Sequence, residues 1–103
     1  MTYHNSLSAL ADPTRRAIYE SLRAAPRAVG EIARGFPVSR PAVSQHLRVL
    51  RDAGLVSESR AGTRHLFTAN PAAALELRDY FQSMWECAMQ SYARHVAEEG
   101  EAP

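Results

Sequence analysis

The stretch from Ser39 to Gly54 constrains this chain more than any other. A serine hydroxyl can accept one of the orphan amide hydrogens at a helix start, and Pro41 in the first turn has no amide hydrogen to leave unpaired. Gly54 then stops the helix after Ala53. With Val43 at the centre of a buried face, steps of about 100° bring Leu47 and Leu50 beside it and turn Pro41, Ser44, Gln45 and Arg48 to the opposite side. Arg40 and Arg51 fall on the flanks. Immediately before lies a shorter amphipathic segment, Ala28 to Arg34, with Val29, Ile32 and Ala33 on one side and Gly35 at its end. Phe36-Pro37-Val38 is too short to form an element. Two helices joined by a tight turn over about residues 28–53 make a helix-turn-helix.

The rest of the chain fits around that pair. At 103 residues it has the length of a single domain. Asp12-Pro13 predicts a helix start, with the helix running to about Ala24, Ile18 and Leu22 facing the core, Tyr19 beside them and Pro26 ending the run. A short helix near Leu7 to Ala11 precedes it. After Gly54, Leu55 to Arg60 and His65 to Ala69 read as two short strands joined by a glycine-bearing turn, Ala61-Gly62-Thr63-Arg64, forming a β-hairpin wing over 55–69. Asn70 and Pro71 repeat the cap-and-proline device and open a helix to about Ala97, after which the acidic tail is expected to fray. The expected fold is mainly α with a small β-hairpin (α+β): a winged helix-turn-helix, dimerising through its terminal helices.

Formal charge is only +1, but it is unevenly spread. Residues 1–70 carry ten arginines against five acids, and residues 71–103 two arginines against six. All the basic side chains are arginine, whose planar fork suits phosphates and guanine edges, although a biased genomic base composition would produce the same usage. Double-stranded DNA is the expected partner. On the outward face of the second helix Gln45 offers a donor and an acceptor to adenine, Arg48 a bidentate fork to guanine, and Ser44 reaches bases or phosphates. Ser39, Arg40, Pro41 and Arg51 border that face, and Arg60, Thr63 and Arg64 belong to the wing, where arginines clamp phosphates more often than they read bases. The bland reading of any one such helix is a solvated amphipathic face; the order of short helix, tight turn, capped helix and arginine-bearing hairpin favours DNA. His46 projects toward the core edge and is assigned no chemistry.

No nucleophile–base pair, phosphate-cradling glycine loop or ligand-spaced His/Cys cluster stands out, so an enzyme is not expected. Cys87 is the single cysteine, which excludes an intrachain disulfide and fits a reducing compartment. With no apolar run of membrane-spanning length, a cytoplasmic protein is expected. Along the last helix Leu77, Phe81, Met84, Trp85, Ala88, Met89, Tyr92 and Val96 recur at three- and four-residue spacing. Such a stripe needs cover, and the same helix of a second copy supplies it most simply, giving a two-fold homodimer. A ligand cleft lined by Met84, Trp85 and Tyr92 is the alternative. Cys87 is expected to be a small packed or inert residue.

Three runs carry a resemblance: Ala9-Leu10-Ala11-Asp12-Pro13-Thr14-Arg15-Arg16, then Val38-Ser39-Arg40-Pro41-Ala42-Val43-Ser44-Gln45-His46-Leu47-Arg48-Val49-Leu50, then Ala53-Gly54-Leu55-Val56. The chain resembles the arsenic-repressor (ArsR) family of bacterial winged-helix regulators from about Leu7 through the wing. The resemblance implies a dimer whose recognition helices enter successive major grooves of a near-palindromic operator, with the wings near adjacent minor grooves, repressing until an effector releases it. Family members that sense metals often carry a Cys-x-Cys-type pair in the helix before the recognition helix; here Val29-Gly30-Glu31-Ile32-Ala33 stands there, without sulfur. A second family site, Asp-x-His followed by His-x-x-Glu or His-x-x-His on the last helix, aligns with Asp79, Phe81, Tyr92 and His95. Aromatic rings at two ligand positions leave no such site, so no metal or cofactor is expected and the effector stays open. A winged-helix protein-interaction module without specific DNA binding is the alternative function.

Overall fold

In the computed structural model, which describes residues 2–101, the elements follow in the order α1 (Thr2–Ala11), α2 (Pro13–Leu22), α3 (Val29–Arg34), α4 (Arg40–Asp52), β1 (Val56–Ala61), β2 (Arg64–Ala69) and α5 (Pro71–Glu101). Helix starts follow the expected capping chemistry. The Asp12 carboxylate accepts the Arg15 amide hydrogen at 2.8 Å, and the Ser39 hydroxyl accepts that of Ala42 at 3.2 Å. Ala28 has no side-chain acceptor, so the start of α3 relies on Glu31, whose carboxylate accepts the Ala28 N–H at 3.1 Å.

The end of α4 is a Schellman turn: Leu55 N–H donates to the Leu50 carbonyl and Gly54 N–H to that of Arg51, both at 2.9 Å. Gly54 takes φ +80°, a left-handed value that a side chain would oppose. Leu50 and Leu55, the apolar pair that accompanies such a turn, are both fully buried. Asn70 locks the next junction. Its side-chain amide donates to the Gly54 carbonyl at 3.0 Å, its backbone N–H to Leu55 at 2.8 Å, and its side-chain oxygen accepts from Ala72 at 3.1 Å, so the α4 exit and the α5 entry are held together.

The core is built from one face of each element: Ala9, Ile18, Leu22, Ile32, Val43, Leu47, Leu50, Leu55, Val56, Phe67 and Ala73. The expected inward positions Ile18, Leu22, Ile32, Val43, Leu47 and Leu50 are all there, with Tyr19, Val29 and Ala33 packed at the margin. β1 and β2 form a two-stranded antiparallel hairpin, Val56 opposite Ala69 through Ala61 opposite Arg64. Its two-residue turn has positive φ at Gly62 and not at Thr63, the pattern of a type II′ hairpin turn.

Several boundaries differ from the sequence reading. α1 begins at Thr2 rather than near Leu7, because its earlier turns also have a surface to lie on: Ser6 is buried and its hydroxyl donates to the Ala53 carbonyl at 3.4 Å. α2 ends at Leu22 rather than Ala24. The following chain is drawn across to the wing, where Arg27 and Phe67 exchange backbone hydrogen bonds of 3.0 and 2.8 Å. The strands are Val56–Ala61 and Arg64–Ala69, with Ala61 and Arg64 paired in the ladder instead of lying in the turn. α5 runs on through the acidic tail to Glu101, aided by a His95–Glu99 contact of 3.0 Å one turn apart.

Beyond Tyr80 every described α5 residue through Gly100 is exposed. A compact chain of this length has a radius of gyration of about 13 Å. This one has 19.0 Å, with a long axis of 72 Å, because α5 projects from the body. No described helix is long and apolar enough to cross a membrane.

Candidate nucleic-acid interface

The burial of Val43, Leu47 and Leu50 fixes the rotation of α4 about its axis, and that rotation decides what the helix presents. Pro41, Ser44, Gln45 and Arg48 are all exposed on the opposite side, as are Arg40 and Arg51 on its flank. The Ser39 cap and the α3–α4 turn set the start of this face. α3 braces it from behind through Ile32, and the Arg40 guanidinium lies over α3 beside Gly30, where even an added Cβ would sit 3.7 Å away. His46 is half-buried, and its Nδ1 lacks a hydrogen-bond partner among the described residues.

The wing stands beside the C-terminal end of α4. Strand alternation and register place Val56, Glu58 and Arg60 on one face of the hairpin together with His65, Phe67 and Ala69. Arg64 belongs to the other face. The two wing arginines thus point to opposite sides, a consequence of register that the sequence grouping of Arg60 with Arg64 did not anticipate. Thr63 is exposed at the tip.

Two of the candidate basic side chains are engaged by carboxylates that sequence reasoning missed. Arg51 donates from Nη1 to Glu58 at 3.3 Å and has its Nε 3.9 Å from Asp52. The other Glu58 oxygen lies 2.8 Å from His65 Nδ1. Arg64 pairs with Glu31 across the gap between wing and α3. Arg40, Arg48 and Arg60 have no hydrogen-bonding or ionic partner among the described residues. The hydrogen bond from His65, followed by the charges of His65 and Arg51, holds the Glu58 carboxyl below the usual glutamate range. Glu31 is lowered chiefly by the Ala28 amide and then by Arg64. Asp12 is lowered chiefly by the Arg15 amide, with smaller contributions from His46 and the Arg15 charge.

The α5 stripe divides in two. Leu77 is half-buried and packs against this chain's own core. Phe81, Met84, Trp85, Met89, Tyr92 and Val96 remain 41–63% exposed, and Ala88 between them is exposed too. Leu75, which the stripe omitted, is 50% exposed. Cys87 is exposed rather than packed, and lies about 200° around the helix from Trp85. Among the described residues no group of three or more His, Cys, Asp or Glu is placed to hold a metal ion.

Comparison with known proteins places this geometry. The profile of a family described as a helix-turn-helix domain matches residues 10–58, from the end of α1 into the wing. The chain is 50% identical over 93 residues to the HTH-type transcriptional regulator Rv2034 of Mycobacterium tuberculosis, an alignment covering 90% of this chain and 87% of that protein. Its structure resembles an ArsR-like transcriptional regulator from Rhodococcus sp. RHA1, with a TM-score of 0.79 at 27% identity over 98% of this chain and 92% of the other. It also resembles the homodimeric winged helix-turn-helix DNA-binding domain, fragment 1–100, of Mb0332 from Mycobacterium bovis, a possible ArsR-family regulator. That likeness has a TM-score of 0.67 at 28% identity, over 82% of this chain and 79% of the other. The capped, polar-faced α4, its α3 brace, the β1–β2 wing and these relatives lead to one assignment: the chain belongs to the ArsR family of winged helix-turn-helix transcriptional regulators.

Proposed function

We propose that this chain works as a homodimeric, sequence-specific DNA-binding repressor in the cytoplasm, acting by binding and not by catalysis. The observation that carries the reading is the single exposed face of α4, on which Ser44, Gln45 and Arg48 stand free of the chain's own core while Val43, Leu47 and Leu50 hold the helix from behind. Gln45 and Arg48 read base edges in the major groove, Ser44 reads or clamps, and Ser39, Arg40, Arg51, Arg60, Thr63 and Arg64 position the helix on the phosphates, with Pro41, which has no hydrogen-bond donor, lying against the duplex by shape alone. Two chains clasp through the α5 stripe. Support for the dimer comes from Phe81, Met84, Trp85, Met89, Tyr92 and Val96, which a single chain leaves in water, and from a structural relative described as homodimeric. A dimer lying along two adjacent grooves excludes polymerase from any promoter its site overlaps, which is repression by occlusion.

Selection from random duplex DNA tests the reading. It should enrich an inverted repeat whose half-sites lie about one helical turn, ~34 Å, apart or a multiple of that. Recovery of unenriched sequence after several rounds would contradict it.

A further inference from the structure

The arginines of the proposed interface fall into two sets. Arg40, Arg48 and Arg60 have no partner among the described residues, whereas Arg51 and Arg64 are each held by a glutamate from a different element, Arg51 with the exposed Asp52 of its own helix also 3.9 Å from its Nε. In both pairs the carboxylate is the more sheltered member. The Glu58 side chain is 30% exposed against 46% for Arg51, and Glu31 35% against 58% for Arg64. Each carboxylate is also fixed by a second bond, Glu58 by His65 and Glu31 by the Ala28 amide. The guanidinium is the outer, more exposed partner and the carboxylate the more sheltered one, tied by a second bond. A DNA phosphate arriving at either flank meets an arginine already bound to an oxyanion of the same charge sign and similar fork geometry.

We propose that Glu58 and Glu31 are internal competitors for phosphate, holding Arg51 and Arg64 in the free protein and yielding them only when a duplex is seated against α4 and the wing. When an arginine turns to a phosphate, its former partner stays behind, well within the roughly 10 Å over which charges interact at ordinary salt. The handover therefore weakens binding to every sequence alike and leaves base contacts a larger share of the total. This inference rests on the DNA-reading proposal above.

The test is anisotropy titration of a random-sequence duplex and of the selected operator over a series of salt concentrations. The Glu58→Gln variant keeps the shape and the acceptor oxygen but removes the charge. It should tighten both duplexes about equally, roughly two- to fivefold, since partly exposed pairs have small energies. The dependence of log K on log salt should steepen toward one additional phosphate contact, a change of up to about 0.9. Glu76→Gln makes the same change in net charge on an exposed part of α5 and should move neither reading. In an Arg51→Gln background the gain from Glu58→Gln should shrink. Glu31→Gln, read against Arg64→Gln, repeats the test on the other flank and serves if Glu58→Gln does not fold. The inference is overturned if Glu58→Gln matches Glu76→Gln, if its gain is undiminished without Arg51, or if it binds more weakly with an unchanged circular dichroism spectrum. Wild-type protein that binds neither duplex sinks the DNA-reading proposal as well; failure of the variants alone sinks only this one.

Discussion

Single side chains on this fold divide by which way the buried face of α4 turns them. Val43, Leu47 and Leu50 have no exposure left to give to DNA, so any sequence discrimination made by α4 falls to the residues opposite them. Replacing Gln45 or Arg48 with alanine should cost about 1–3 kcal/mol of preference for the operator over a duplex altered at the contacted base pair. Competition titration measures it, and retention of full preference by both variants would move the reading face elsewhere. Acid should act on three carboxylates. Asp12, Glu31 and Glu58 all have folded pKa values lowered by hydrogen bonds and nearby positive charge. A carboxylate lowered on folding contributes stability above its unfolded pKa and loses it as pH falls through the folded value. The melting temperature should therefore drop on acidification below the ordinary carboxylate range. Asp12→Asn, which can still cap α2, should remove part of that drop; an unchanged acid profile would show that the cap charge contributes nothing.

The ends of the elements here carry identifiable bonds of their own. Gly54 and Asn70 together close the α4–β1 turn and the α5 start, with three hydrogen bonds from Asn70 and left-handed backbone at Gly54. Nothing lies within 4 Å of a Cβ built on Gly54, so Gly54→Ala meets no collision and its cost is conformational, about 1–2 kcal/mol. Asn70→Ala loses a cap and should cost about 1 kcal/mol or more. Urea denaturation checks both, and values near zero would mean that the junction is held by packing alone. This is also the scale at which the sequence was most readable. Ser39, Asp12 and Asn70 announce their helices because a cap acts on residues two or three positions away. The Arg27–Phe67 bridge, the Glu31–Arg64 pair and the early start of α1 were not readable, because each depends on residues far apart in the chain that only the folded core brings together. The opposite facing of Arg60 and Arg64 was hidden for a smaller reason: it turns on whether Ala61 and Arg64 pair or lie in the turn.

At the scale of the molecule, a body of six short elements carries a 31-residue helix about 46 Å long that it cannot cover. Leu77 marks where this chain's own core ends, and Phe81 onward is the part offered outward. Trp85 is 61% exposed, so Trp85→Glu should leave the fold of one chain intact while placing a charge in the proposed interface. Sedimentation should show a change from dimer to monomer. Operator affinity should fall by roughly 10²–10⁴-fold as two linked recognition helices become independent. An unchanged dimer would place the contact on another surface.

The most direct test of the account is a stoichiometric titration of wild-type protein against the selected operator and a shuffled duplex of the same composition, at physiological salt. Saturation at two chains per operator, with the shuffled duplex bound at least about 10³-fold more weakly, is the predicted result. Equal affinity for the two duplexes, or saturation at one chain per site, would contradict it.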